Sequence, residues 1–195
     1  YWTDGYNQPR VINIKGDKSL WRDSSFDFVP AVVFPYDVQI IQDTSGGGIF
    51  APGIIQYCFT YVAKNGQQSS SVYVSTLYYL ALSDRGASPD ENVGCSFTIQ
   101  ISNPDTHFDY IRLYSVQRTS YNGTPIVKLL DDIKIEPDTP IITFSDGGNI
   151  GSTVDPTELL FVGGKEITAL TMSSKDNTLF LGNIAEKDNS VEIIQ

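Results

Sequence analysis

Apolar and polar side chains alternate with a period of two along most of this chain. Residues 96–102 (SFTIQIS) place three apolar side chains on one face and four polar ones on the other, which is typical of a strand half-buried over a core. Residues 54–62 (IIQYCFTYV) are apolar on both faces, as expected of a central strand. Helical periodicity is nearly absent, so the pattern predicts a chain built mainly of β-strands.

Turn signals separate these strands at fairly regular intervals. Asn65-Gly66 and Asn122-Gly123 are dipeptides that supply the positive φ angles of a tight hairpin. A short strand over 141–144 is ended by the sequence DGGN. Residues 51–148 therefore predict six or seven short strands, which is the pattern of an antiparallel sandwich of the immunoglobulin or fibronectin type III kind.

The two flanks of this block look different from it. Residues 1–50 contain prolines and a glycine run, and they predict an extended N-terminal arm with short strands. In residues 149–195, Asp155-Pro156-Thr157-Glu158 is a helix-start signature. It precedes one short helical turn and a β-hairpin that begins a further β unit. The predicted fold is thus an all-β sandwich with extended flanking segments. Because the chain begins at Tyr1 and ends in an apolar alternation, we expect strands that continue past one or both ends.

Composition and charge narrow the function classes. The chain is 41% hydrophobic, with 13 Lys and Arg against 23 Asp and Glu, for a net charge of -10. Such an excess of negative charge disfavours direct nucleic-acid binding, and no apolar run approaches the roughly 20 residues that span a bilayer. Cys58 and Cys95 lie in strand-like runs, so they are read as buried small hydrophobes. A disulfide between Cys58 and Cys95 is the alternative, if their strands are neighbours and the compartment is oxidising.

Catalytic and ligand-binding motifs are missing from the sequence. His107 is the only histidine and is read as a solvated loop residue, and no Gly-x-Ser-x-Gly elbow accompanies it. The paired acids, such as Asp131-Asp132, fall at strand ends and loops, without calcium-loop spacing. The run Gly46-Gly47-Gly48 lacks the Lys-Ser/Thr of a phosphate loop and is read as a flexible connector. We therefore expect no catalytic residue, metal or cofactor.

Two stretches carry a family resemblance. Residues 2–13 (WTDGYNQPRVIN) resemble an opening motif of large structural proteins of tailed phages of Bacteroidetes, including crAss-like phages. Residues 151–160 (GSTVDPTELL) and 175–184 (KDNTLFLGNI) are similar to the junction after a fibronectin type III-like module in the same proteins. Between them, residues 109–119 (DYIRLYSVQRT) are similar to the central strand of that module. The group includes tail stabilisation and muzzle-type proteins.

The resemblance implies a non-enzymatic virion structural protein of a phage tail or connector. Its implied partners are other tail proteins, in a homo-oligomeric ring, and its implied location is the virion. Candidate assembly contacts are Trp2, Asp4, Arg10, Tyr57 and Tyr61. Trp2 would bury its ring, and Arg10 would pair with a carboxylate such as Asp4.

Two rival hypotheses remain open at this point. The tyrosine content would also suit a glycan- or protein-binding module of a bacterial surface protein. Its carbohydrate face, in place of a core or interface, would be lined by an aromatic set: Tyr57, Phe59, Tyr61, Tyr73, Tyr78 and Tyr79. An enzyme fragment, such as a depolymerase, would need two carboxylates that meet only in the fold.

Overall fold

The computed structural model divides the chain into two compact units. One unit comprises Tyr1–Ala31 together with Gly163–Gln195, and the other comprises Val32–Val162. The structure describes residues 1–12, 14–15, 26–27, 32, 34–64, 66, 68–82, 86–160, 167–176 and 178–186. No helix within these ranges is long and apolar enough to cross a membrane.

Eleven strands and one short helix make up the described part of the chain. In chain order they are β1 (Asp37–Asp43), β2 (Gly53–Val62), β3 (Tyr73–Val74), β4 (Tyr78–Leu80), β5 (Ser96–Ser102), β6 (Tyr110–Arg118), β7 (Ile126–Lys134), β8 (Ile141–Asp146), β9 (Ser152–Val154), α1 (Pro156–Leu160), β10 (Ile167–Lys175) and β11 (Thr178–Glu186).

The larger unit contains two antiparallel sheets. The first has the order β1-β5-β8, and the second has the order β3-β2-β6-β7-β9, with β4 also paired to β2. A β-bulge between Leu113 and Tyr114 shifts the register of β6 against β7. The fold is therefore all-β with antiparallel sheets, as predicted. The immunoglobulin or fibronectin III topology stays a prediction.

The two sheets share one hydrophobic core. Phe97, Ile99 and Ile101 of β5 are almost completely buried, as the alternation predicted, and so are Tyr57, Phe59 and Tyr61 of β2. Burial of each aliphatic or aromatic side chain of this size is worth about 1.5–3 kcal/mol. Because side chains from both sheets meet in this cluster, the unit is a sandwich.

A smaller cluster covers the outer face of the second sheet. Cys58, Tyr114 and Val127 are buried there, and Val154 of β9 and Leu159 of α1 pack against them. The helix begins as its sequence predicted, since the Asp155 carboxylate accepts a hydrogen bond from the Thr157 amide at 2.8 Å. The sandwich unit thus extends past residue 148 to Val162.

The sandwich also begins earlier than the sequence predicted. Strand β1, assigned to the arm over residues 1–50, pairs along its full length with β5. The reason is that Val38 and Ile40 pack against the main core. The arm is therefore confined to the first part of that range, before Val32.

Gly48, the last residue of the glycine run, lies where two backbone segments come close, which corrects the interpretation of the whole run as a flexible connector. A Cβ atom on Gly48 would lie 1.6 Å from the carbonyl oxygen of Cys95. The next amide, of Ile49, donates to the carbonyl oxygen of Gly147 at 2.8 Å. Only glycine fits where backbones come this close.

Strands β10 and β11 form the hairpin predicted for the C-terminal flank. They pair antiparallel from Ile167↔Glu186 to Lys175↔Thr178. They belong to the same compact unit as the N-terminal arm, so the two flanks of the sequence fold together.

Candidate assembly surface

The opening motif of the sequence folds into a closed loop. The Trp2 amide donates to the Arg10 carbonyl at 3.0 Å, and the Arg10 amide donates back to Trp2 at 2.9 Å. Pro9 is buried between these ends. The Trp2 ring lies 5.9 Å from the Phe26 ring, tilted by 52°, while 38% of the Trp2 side chain stays exposed. Trp2 therefore packs against Phe26 and still exposes part of its surface to solvent.

Asp4 organises the turn inside this loop. Its carboxylate accepts hydrogen bonds from the amides of Tyr6 and Asn7, at 2.9 and 2.7 Å, and from the Asn7 side chain at 2.7 Å. Hydrogen bonds from Asn7 and Tyr6 lower the pKa of Asp4 to about 2. Gly5 takes a φ of +77°, a conformation that glycine adopts without steric cost.

Arg10 pairs with a carboxylate, as predicted, but the partner is Asp27. Its Nε donates to Asp27 Oδ1 at 2.8 Å. The Asp4 carboxylate is occupied by the amides of its own turn, and Arg10 is only the last of the causes that lower its pKa. Nothing in the spacing of the sequence pointed to Asp27, because the contact depends on how the arm folds back on itself.

The arm is joined to the hairpin within this unit. The Thr3 hydroxyl donates to the carbonyl oxygen of Ala169 in β10, and the Ala169 side chain is fully buried. A Cβ atom on Gly5 would lie 2.7 Å from the Leu170 side chain. The opening motif therefore packs against β10 through Thr3 and Gly5. The sequence pattern did not predict this role for either residue.

Large apolar side chains are exposed on the other parts of this unit. Phe180 and Ile184 of β11 lie four residues apart and are 55% and 54% exposed. We call these two residues the hairpin patch. Others exposed on the same unit are Tyr1, Tyr6, Ile14 and Leu170. Among the described residues, no third strand pairs with β10 or β11.

Tyr57 and Tyr61 are core residues, which corrects their assignment as candidate assembly contacts. They are 1% and 0% exposed. The Tyr57 hydroxyl donates to Asp146 Oδ2 at 3.0 Å, and the Tyr61 ring stacks on Phe108 at 5.1 Å. Burial raises the pKa of both tyrosines. An aromatic side chain on a strand that is apolar on both faces suits either a core or an interface. Here the β1-β5-β8 sheet packs against the β2 sheet, so both tyrosines lie in the core.

His107 is held by a buried carboxylate and is not simply solvated. Its Nδ1 lies 2.5 Å from Asp105 Oδ1, and the Asp105 side chain is only 2% exposed. The backbone amide of Asp105 donates to the Tyr61 hydroxyl at 3.0 Å. These contacts tie the loop to the core. No group of three or more potential metal ligands occurs among the residues that the structure describes.

Comparison with known proteins identifies the family of this chain. A sequence model of the family described as Crassvirus muzzle protein matches residues 1–194. The chain belongs to the crassvirus muzzle protein family. The muzzle protein of Bacteroides phage crAss001 is 46% identical to it over 187 residues, which cover 96% of this chain and 13% of that relative. The resemblance to phage structural proteins is thereby confirmed, and the chain corresponds to a limited part of its relative's length.

Proposed function

We propose that this chain is part of a non-enzymatic virion structural protein of a phage tail or connector. It acts by assembly with neighbouring subunits. The observation that carries this proposal is the match to the muzzle protein family along nearly the whole chain. The sandwich supplies a rigid body, and the arm and hairpin supply the contacts.

The smaller unit exposes apolar side chains that suit contacts with a neighbouring subunit. Apolar and aromatic groups exposed together mark interaction sites more often than isolated ones do. Aromatic residues are also enriched in the centres of protein interfaces. Trp2, Phe180 and Ile184 each expose more than a third of their side chains. A neighbouring subunit that covers them would remove this apolar surface from water.

The edges of the hairpin offer a second mode of contact. Each of its two strands is nine residues long, and a two-stranded hairpin alone is marginally stable. An added strand from a neighbouring chain would satisfy backbone groups along an edge, as in other cases of β-strand addition. We propose that the partners are other tail proteins and further copies in a ring, with no direct contact to nucleic acid.

Electron microscopy of the full-length family protein that contains this chain tests the proposal. The expected result is a ring or an association with virions. The double substitution Phe180→Ser with Ile184→Ser should reduce the fraction of the protein that forms rings or joins virions. Tyr121→Ser is the matched control, since Tyr121 is 97% exposed but lies on the sandwich unit. A monomer that neither forms a ring nor joins virions would overturn the proposal.

A further inference from the structure

The connection between β6 and β7 is an open, exposed turn. The Tyr121 side chain is 97% exposed, and Asn122 and Thr124 are exposed as well. One turn hydrogen bond crosses it, from the Gly123 amide to the Ser120 carbonyl, at 3.3 Å. That length is beyond the usual range for N–H···O bonds. Strands β6 and β7 form the predicted hairpin, but neither Asn122 nor Gly123 has a positive φ, so the tight turn predicted for this dipeptide is wrong. The turn is instead wider and loosely held.

We propose that Asn122 is a site of spontaneous covalent modification, by deamidation through a cyclic imide. This inference does not depend on the proposed function. The backbone nitrogen of Gly123 attacks Cγ of Asn122, a new C–N bond forms, and the Cγ–Nδ2 bond breaks. Ammonia leaves with the proton of the Gly123 amide. Water then opens the five-membered imide, and no group is oxidised or reduced.

The products differ in which imide bond water breaks. Attack at the side-chain carbonyl returns the normal backbone and leaves aspartate. Attack at the backbone carbonyl routes the chain through the side chain and leaves isoaspartate, with an extra methylene in the backbone. In both cases one neutral amide becomes a carboxylate, which adds one negative charge.

The identity of the next residue selects Asn122 among the exposed asparagines. Gly123 has no side chain to obstruct the approach of its nitrogen, and its backbone is the most adaptable of any residue. Asn92, Asn149 and Asn183 are also exposed, but each is followed by valine or isoleucine, whose branched side chain shields the amide. Asn7 is exposed too and is followed by Gln8, whose side chain also obstructs the approach. Asn103 precedes Pro104, which has no amide proton to give up. Asn65 also precedes glycine, but it lies outside the described residues.

The new charge would fall beside a surface cleft. Arg118, Ser120 and Tyr121 line this cleft together with Gly53 and Ile54 of β2, and it encloses about 470 Å³. A carboxylate at position 122 would add a negative charge next in sequence to Tyr121, which lines the cleft. Modification would therefore be visible both as a more acidic protein and as a change local to this end of the sandwich.

The test is an incubation of the intact chain at physiological temperature and mildly alkaline pH, followed by proteolytic peptide mapping with mass spectrometry. The expected result is a gain of about one dalton on the peptide with Asn122, divided between two chromatographic peaks. It should accumulate faster than at Asn149 and Asn183, where a branched residue follows, and be absent at Asn103. The peptide with Asn65 is quantified separately, and Asn122→Gln should remove the acidic species assigned to this site.

A parallel sample is incubated in denaturant. Reaction at Asn122 in both folded and unfolded chains supports the proposal. Reaction only in the unfolded chain would overturn it, because the turn would then protect the site. A rate at Asn122 in the folded chain no greater than that at Asn149 would also overturn it.

Discussion

Replacing Tyr57 by phenylalanine removes a buried polar tie between the two sheets. Tyr57 lies on β2 and Asp146 on β8, both side chains are about 1% exposed, and the hydroxyl donates to the carboxylate at 3.0 Å. The other carboxylate oxygen accepts from the Gly148 amide at 2.8 Å. A hydrogen bond to a charged group contributes about 1.5–3 kcal/mol. We expect Tyr57→Phe to lower the free energy of unfolding by about that amount at neutral pH.

The cost of Tyr57→Phe should depend on pH, with a definite sign. Burial raises the pKa of Asp146 above its ordinary value of 3.8, and the bonds from Gly148 and Tyr57 partly oppose that rise. Because the folded protein holds this proton more tightly than the unfolded chain, the stability it contributes is complete below pH 3.8 and is lost as pH rises through the folded pKa. Loss of the Tyr57 donor raises that pKa further. The variant should therefore lose most stability at neutral pH and least in acid.

Urea unfolding followed by circular dichroism, at several pH values, measures this difference, and hydrogen exchange of the β2 amides localises it. Tyr121→Phe is the matched control, because its hydroxyl is in solvent. In an Asp146→Asn background the pH dependence of the Tyr57→Phe cost should disappear. A cost below about 0.5 kcal/mol at neutral pH, equal to that of an ordinary surface substitution, would refute the reasoning. So would a cost that grows on acidification.

Three further predictions concern other parts of the chain. Gly48→Ala should destabilise the sandwich by about 2 kcal/mol or more in urea unfolding, because the new Cβ would lie 1.6 Å from the Cys95 carbonyl oxygen. Gly86→Ala is the control and should not destabilise it, because a Cβ there meets nothing within 4 Å. Equal effects of the two substitutions would contradict the packing at Gly48. The thiols of Cys58 and Cys95 are free and buried. Burial raises the pKa of Cys58 to about 12 and that of Cys95 above its usual value. Alkylation of either thiol at neutral pH should therefore require unfolding, which pulsed labelling with mass spectrometry would report. Since hydrogen bonds lower the pKa of Asp4 to about 2, the stability that Asp4 contributes should be present above its ordinary pKa and lost on acidification toward pH 2. Asp4→Ala should speed hydrogen exchange at the Tyr6 and Asn7 amides. Unchanged exchange would contradict the role of Asp4 in the turn.

Local patterns predicted the strands well. The alternation over residues 96–102 fixed which side chains of β5 are buried, because one face of a strand must meet the core. The helix start at Asp155 also followed from local chemistry, since its cap and the proline after it lie next to each other in sequence. Strand partners are a different matter. That β1 pairs with β5, and that the two flanks fold into one unit, depends on contacts between residues far apart in the chain.

The candidate site was predicted in part for the same reason. The opening motif marked Trp2, Asp4 and Arg10 as candidate assembly contacts, which stays a prediction. In the structure Asp4 and Arg10 order the arm itself. Asp27 was missed, since it reaches Arg10 only after the arm folds back. Tyr57 was placed among the assembly contacts because an aromatic side chain on a strand that is apolar on both faces suits a core and an interface equally. The packing of the β1-β5-β8 sheet against β2 decides between them.

Site-specific photo-crosslinking in assembled particles tests the central claim most directly. A photoreactive residue would replace Phe180 in the full-length family protein, and a second version would carry it at the buried position Phe97. The account predicts crosslinks from position 180 to another copy or to another virion protein, and none from position 97. Particles in which position 180 crosslinks only within its own chain would contradict the claim that the hairpin patch is an assembly contact.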